Sequence, residues 1–553
     1  MDGEAFDYII VGAGSAGCVL ADRLTEDGRS SVLVLEYGGS DRSLFIQMPA
    51  ALSIPMNSKT YNWGYRSEPE PHLGGRRIAC PRGKVLGGSS SINGMVYVRG
   101  HPLDFERWEE EGARGWGYRN VLPYFRRAER FRGAADAYRG DAGPLTTAHG
   151  RKCNPLYDAF IEAGRQAGYA VSADLNGERQ EGFGPLGMTV RDGVRSSTAS
   201  AYLKPAMKRP NLKVVTHALA SGIAFDGRRA VGVRYRRRGR EQMAKARREV
   251  ILCGGPINSP QLLKLSGVGP AAELRSLGID VVADRPGVGE NLQDHLEFTF
   301  QVASKQPITL FTHTGLFRRA LIGAEWLMRG RGLGASNHFE AGGFIRSCAG
   351  VRYPDIQFHF LPMAVAYDGS TLAREHGFQA HVGPMRSKSR GSVRLRSSDP
   401  AEPPRIKFNY MSHPDDWIEM RACLRLTREI FAQRAFDPYR GREIKPGAKC
   451  VSDEAIDAFV RERVDSAYHP SCTCKMGSPA DASAVVDPET RVIGVEALRV
   501  VDSSIMPSIT NGNLNAPTIM LAEKAADMIR GLDPLPASNA PYYVAPDWET
   551  QQR

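Results

Sequence analysis

Apolar and polar positions follow two periods along the chain, and their order predicts buried strands alternating with helices. Tyr8-Ile-Ile-Val11 and Val32-Leu-Val-Leu35 are uninterrupted apolar runs of strand length, the pattern of strands covered on both faces in a parallel sheet. Glu249-Val-Ile-Leu-Cys253 and Leu498-Arg-Val-Val-Asp502 repeat that pattern, and Leu212–Val215 and 231–235 read as further strands. Helical spacing predicts helices over 157–167 and 417–433, a third opened by Ser259-Pro260, and a fourth from Asn515 to Met528 with Gly531 just past its end. Between about residues 300 and 464 strand-like pieces such as Ile356-Gln-Phe-His-Phe360 and Gly391-Ser-Val-Arg-Leu-Arg396 alternate with helices. The predicted class is α/β. A doubly wound, Rossmann-like domain is assigned to 1–155, 190–300 and 465–535, an α+β domain on a mixed or antiparallel sheet to 156–189 and 301–464, and a C-terminal tail to 536–553.

Composition narrows the partners. The chain has 553 residues, enough for two domains, and its 42% hydrophobic and 24% charged content is that of a globular enzyme. Lys and Arg number 72 against 61 Asp and Glu, a net +11 spread along the chain in short clusters such as Arg236-Arg-Arg-Gly-Arg240. That pattern argues against a nucleic-acid partner and leaves room for attraction to an anionic membrane surface. Nine cysteines, scattered and odd in number, point to reduced thiols, and Cys472-Thr-Cys474 has no second ligand pair, so no metal centre is expected. No signal peptide is expected upstream of residue 7, and no apolar run has spanning length. The expected location is cytoplasmic, or peripheral on the cytoplasmic membrane face.

Chemistry enters at the first turn. Gly12-Ala-Gly14-Ser15-Ala16-Gly17 joins the first strand to a helix, and Glu36 closes the second strand. Gly12 permits the tight turn, Gly14 lets a pyrophosphate approach the backbone, and Gly17 lets helix pack on strand. Phosphates would sit at the helix N-terminus, where unpaired N–H groups favour anions, with Glu36 accepting from a ribose diol. The frame predicts a bound ADP moiety. A second glycine loop, Pro81-Arg-Gly-Lys-Val-Leu-Gly87-Gly88-Ser-Ser-Ser-Ile92-Asn93-Gly94, offers small residues and free amides; taken alone it suits cofactor contact or a structural turn equally.

The stretch 83–100 resembles the first signature of the glucose–methanol–choline (GMC) oxidoreductases, and 255–269 resembles the second. With the N-terminal fingerprint, Tyr468-His469-Pro470 and Asn513-Leu-Asn515, the similarity covers essentially the whole chain. The resemblance implies FAD and the oxidation of a primary alcohol to the aldehyde, by proton abstraction and hydride transfer to flavin N5. Asp502 resembles the residue that reaches the ribityl or pyrophosphate region. Gly87, Gly88, Asn93, Gly94 and Pro517 are carried over as further cofactor contacts. Some members tether flavin through a histidine at the position held here by Ile92, so non-covalent FAD is expected. His469 matches the catalytic histidine, and the second catalytic position, His or Asn in the family, aligns with Asn515. Met48-Pro-Ala-Ala51, Tyr61-Asn-Trp63 and the segments at 337–344 and 409–413 resemble the choline-oxidising branch. A quaternary ammonium donates no hydrogen bond and is recognised by aromatic faces and a carboxylate. Trp63, Phe339, Tyr468 and Glu297 are the implied cage, with His359 beside it. The resemblance leaves open other primary alcohols, a quinone-like carrier or oxygen as acceptor (a non-oxygen carrier being favoured), and a hydroxynitrile-lyase reaction on the same fold.

Overall fold

The computed structural model describes residues 4–365 and 375–553. Its first sheet has seven strands, running Leu212–Val215, Val32–Leu35, Ala5–Val11, Arg240–Leu252, Arg229–Arg237 and Ala218–Asp226, with Leu498–Val500 also pairing Arg240–Leu252. The apolar runs form its parallel centre, where Val11 lies in register with both Leu35 and Leu252. Those three strands therefore end together, and their carboxyl ends open a crevice at the place where ligands bind in doubly wound sheets. Helix Ser15–Arg23 follows the first strand and packs against helix Asn515–Arg530, closing one face. Arg240–Leu252 serves two purposes: its first half forms a hairpin with Arg229–Arg237, and its second half runs parallel to Ala5–Val11. The basic cluster at 236–240 is the turn of that hairpin, where solvent takes up the charge.

The second sheet also has seven strands. Arg440–Lys445, Leu296–Ser304, Gly377–Pro384, Ile356–Leu361, Ala341–Ile345 and Gly182–Pro185 pair antiparallel in that order, and Asp465–Ser466 joins Leu296–Ser304. Period-two alternation sorts its side chains. Phe298, Phe300, Phe358, Phe360 and Phe378 share an apolar core with Phe160 and Phe431 of the helices Pro155–Gln166 and Pro414–Phe431. Phe160 stacks on Phe360 at 4.6 Å between ring centres. The intervening positions, Glu297, His359 and His381, line a cavity shared with the first sheet.

The expected boundary at residue 300 falls inside strand Leu296–Ser304, the whole of which belongs to the second sheet. The helix expected to open at Ser259-Pro260 starts at Gly255 with Pro256 in its first turn, so Ser259 lies inside it. The chain after residue 535 forms no helix or strand but is pinned: Tyr138 donates to the Pro541 carbonyl, and Arg553 pairs with Glu429. Among the described residues no helix is long and apolar enough to cross a membrane.

Candidate active site

A cavity of about 780 Å³ is lined by the crevice of the first sheet and by the polar face of the second. On the crevice side the walls are backbone. A Cβ on Gly12, at φ +103°, would meet the Cys253 carbonyl oxygen at 2.5 Å, and one on Gly17 would strike the Gly12 oxygen at 1.9 Å. Gly88, at φ +53°, brings the second glycine loop so close to the first that a Cβ would lie 2.6 Å from the Gly14 Cα. The two loops thus form one cradle, and only glycine fits where they meet. Glu36 Oε2 accepts from the Ala13 amide at 2.8 Å and Oε1 from the Gly38 amide at 2.7 Å. Burial raises its pKa to about 7 against those two amides. Each carboxylate oxygen keeps a lone pair for a sugar hydroxyl. Asp502 Oδ2 accepts from the Gly255 amide at 2.9 Å and from Ser259 Oγ at 2.6 Å, joining the last core strand to the start of the second-signature helix. A glycine cradle at a helix N-terminus, a cavity of this size and carboxylates at its wall fit an FAD-sized dinucleotide.

Gly12, Gly14, Ser15, Ala16, Glu36, Gly88, Asn93, Gly94 and Asp502 reach the cavity wall. Gly17 and Gly87 stand behind it, where their lack of a side chain allows the close approach. Pro517 is buried in the first turn of helix Asn515–Arg530, where Asn515 and Thr518 line the cavity.

At the other end of the cavity stands His469. It follows Tyr468, whose φ of +65° is a left-handed conformation costing roughly 1–2 kcal/mol in a residue with a side chain. Arg82 donates to the Tyr468 carbonyl, and Asp294 Oδ1 accepts from the His469 amide at 2.7 Å, so the turn is held from both sides. Asp294 also accepts from Ser466 Oγ and Tyr410 Oη, and burial raises its pKa to about 6.

The ring of His469 is fixed by two partners. His295 Nδ1 lies 3.0 Å from its Nδ1, and Asn513 Nδ2 lies 3.0 Å from its Nε2. His295 Nε2 in turn faces the Met385 carbonyl at 3.0 Å. A carbonyl only accepts, so His295 Nε2 carries that ring's proton. Burial pulls the His295 pKa down to about 4, so the ring is neutral and its Nδ1 is bare. His469 Nδ1–H donates to it. Burial, helped by neighbouring His295 and His359, holds the His469 pKa well below the ordinary imidazole value, leaving Nε2 unprotonated, an acceptor for the Asn513 amide. The Asn513 amide fits this order, since its Oδ1 faces His359 Nε2 at 3.3 Å and Gln357 Nε2 at 3.4 Å while its NH₂ faces His469.

The partner of His469 is thus Asn513, where Asn515 was expected. Asn515 is the first residue of the last helix, and its Oδ1 accepts from Ser15 Oγ at 2.8 Å, tying that helix to the first glycine turn. Asn513, two residues earlier in the same segment, stands beside His469. His295 and His381 were also missed, although each sits on or beside a strand where polar residues alternate with apolar ones, the available signal.

The expected cage residues all reach the cavity. Glu297 Oε1 is 2.8 Å from His381 Nδ1, and Phe339 lies edge-on to His359 and His381 at 6.1 and 5.7 Å between ring centres. Trp63 stacks between Tyr37 and Tyr65 at 4.9 and 5.5 Å.

Fold and site together define a dinucleotide-binding oxidoreductase of two layers, with a neutral histidine and an amide facing the cofactor crevice. Residues 6–297 match the N-terminal family model described as GMC oxidoreductase, and residues 387–522 match its C-terminal counterpart. The chain belongs to the GMC oxidoreductase family. It is 61% identical to a Brucella canis protein named oxygen-dependent choline dehydrogenase, covering 99% of this chain and all of the relative. It is 59% identical to a Sinorhizobium fredii protein of the same name, with the same coverage. Among solved structures it resembles pyridoxine 4-oxidase from Mesorbium loti, at 30% identity and TM-score 0.86 over 95% of this chain and 99% of that one. Formate oxidase is similar at 28% identity and TM-score 0.89, over 96% and 99%.

Proposed function

We propose that this protein oxidises choline to betaine aldehyde with non-covalently held FAD. The observation that carries the reading is His469 Nε2, a bare nitrogen of a neutral ring, 3.0 Å from the Asn513 amide in a cavity that also reaches the glycine cradle. Full-length relatives at 59–61% identity that are named choline dehydrogenases support it. FAD, when bound, supplies the hydride acceptor. The chain supplies the rest. His469 takes the hydroxyl proton at Nε2, and Asn513 Nδ2 donates to the same oxygen as negative charge develops on it. Neutral His295 keeps the other nitrogen of His469 protonated, so the base cannot turn to the wrong tautomer. Glu297 supplies the carboxylate, and Phe339, Tyr468 and Trp63 the aromatic faces, that suit a quaternary ammonium. Ile92 at the cavity wall has no nucleophile with which to bond a flavin.

Adding choline to the flavin-loaded enzyme without oxygen should bleach the flavin absorbance. Bleaching by a neutral primary alcohol but not by choline would transfer the assignment to that alcohol, and cyanohydrin turnover without bleaching would make the protein a lyase. Flavin released by acid precipitation checks the non-covalent attachment. The sequence favours a quinone or other non-oxygen acceptor, whereas the relatives' names specify oxygen. Peroxide formed one-for-one with choline consumed assigns oxygen; turnover only with added quinone assigns a carrier.

A further inference from the structure

Helix Leu316–Arg329 is inverted: its apolar side faces out. At 3.6 residues per turn, Leu316, Phe317, Ala320, Leu321, Ala324, Leu327 and Met328 fall within an arc of about 140°, and all are exposed. Leu316 is 86% exposed, Phe317 76% and Met328 75%, the three highest values among the large apolar residues described. The opposite side is narrow. Trp326 is buried and donates to the Gly193 carbonyl, while Ile322 and Gly323 line the active-site cavity. A surface helix in a water-facing position puts its charged residues outward; here Glu325, Arg318 and Arg329 lie together beyond one edge of the apolar arc instead of occupying it. Across the same cavity, Phe45 and Ile54 line the wall and are about half exposed.

Charge says what covers this face. Arg318, Arg319, Arg329 and Arg331 lie on or just beyond the helix, and none has a carboxylate within 4.0 Å among the described residues. Most buried arginines of this chain are paired, as Arg139 is with Glu129 and Asp174. An outward apolar arc bordered on one side by Arg318 and Arg329, on a chain of net charge +11, is the composition of a helix that lies in a membrane interface. We propose that helix Leu316–Arg329 docks the protein on anionic phospholipid, sinking its apolar arc among the acyl chains while the arginines meet headgroup phosphates. Because the inner side of the same helix walls the cavity, docking turns the cavity mouth toward the lipid. The inference goes beyond the choline reading and stands without it.

Co-sedimentation of the purified, flavin-loaded full chain with vesicles tests this. Phosphatidylcholine vesicles with about one-third phosphatidylglycerol should bind it about tenfold more tightly than phosphatidylcholine alone. Raising salt to about 0.5 M should weaken that binding. Phe317→Glu with Met328→Glu, and separately Arg318→Glu with Arg329→Glu, should each lose about tenfold in vesicle binding. Both double variants should keep wild-type flavin content and turnover with a water-soluble dye, which separates lost docking from a misfolded chain. No binding to anionic vesicles, or binding undiminished in folded variants, overturns the proposal. So does a concentration-dependent dimer that Phe317→Glu with Met328→Glu dissociates while vesicles leave the wild type free, since the face would then belong to a second copy.

Discussion

An imidazole that takes a proton must present a bare nitrogen, and at His469 a relay of two acceptors decides which one. The Met385 carbonyl fixes His295, His295 fixes His469, and Nε2 is left facing the cavity beside Asn513. Asn513→Ala removes the donor that would share the substrate oxygen, and the rate of flavin bleaching should fall about 10²-fold, the usual cost of one such donor. Asn515→Ala breaks only the link to Ser15 and should cost less than about tenfold. Stopped-flow bleaching of the two variants distinguishes them, and equal losses would return the second catalytic role to Asn515. Glu297 bears on selectivity. Its Oε1 engages His381, which holds the carboxylate at the cavity wall. Glu297→Gln should raise the choline KM about tenfold while changing that of a neutral alcohol of similar size little. A matching rise for both alcohols would remove the cage from the account.

Elements, unlike single side chains, were largely legible in the chain. Strand Val32–Leu35 stands where its apolar run puts it, because a strand buried on both faces has no polar position to blur its ends; Leu212–Val215, at the sheet edge with Lys213 exposed, also stands where it was expected. The second-signature helix was harder. Ser259-Pro260 looks like a cap and a first turn, yet the chain turns helical at Gly255, whose φ of +80° precedes Pro256. A proline in the first turn suits either start, so spacing could not choose between them. Asn513 and Asn515 posed a similar problem: both are Asn in one short segment, and only the packing of the last helix against Ser15–Arg23 tells which turns toward His469. His295 was illegible because its role depends on a carbonyl 90 residues away. The meeting of the two glycine loops follows the same logic, since neither loop alone reveals the other. Gly88→Ala places a Cβ 2.6 Å from the Gly14 Cα in a left-handed conformation, a combined cost of about 2–4 kcal/mol. The variant should purify with little flavin, read as a lowered ratio of flavin to protein absorbance. Full flavin content would mean that the loops part without consequence.

At the scale of the whole molecule, the relay at His469 lies on the seam between the two sheets. Gln293 exchanges backbone hydrogen bonds with Ser471, Leu292 does so with Gly391, and the chain then enters strand Leu296–Ser304 of the second sheet. His295 sits within that crossing, buried and held at both ring nitrogens by groups from separate segments. Protonating it would set two N–H donors against a carbonyl and against His469 Nδ1–H, so acid should loosen the seam. Its pKa falls from 6.5 unfolded to about 4 folded, and the folded chain therefore binds this proton less readily than the unfolded one. The associated stability is fully present above pH 6.5 and is lost as pH falls toward 4. A shift of that size corresponds to about 3 kcal/mol at most. His295→Gln keeps a donor for Met385 but cannot titrate, so it should be less stable than wild type at pH 7.5, and the gap should narrow by about that amount at pH 4.5. Buried His359 and His469 are shifted in the same direction and remain in the variant, so acid still weakens it. Only the difference between the two proteins reports on His295. Thermal melts of wild type and variant at the two pH values measure it, and a gap that does not change with pH would mean that His295 carries no share of the acid sensitivity.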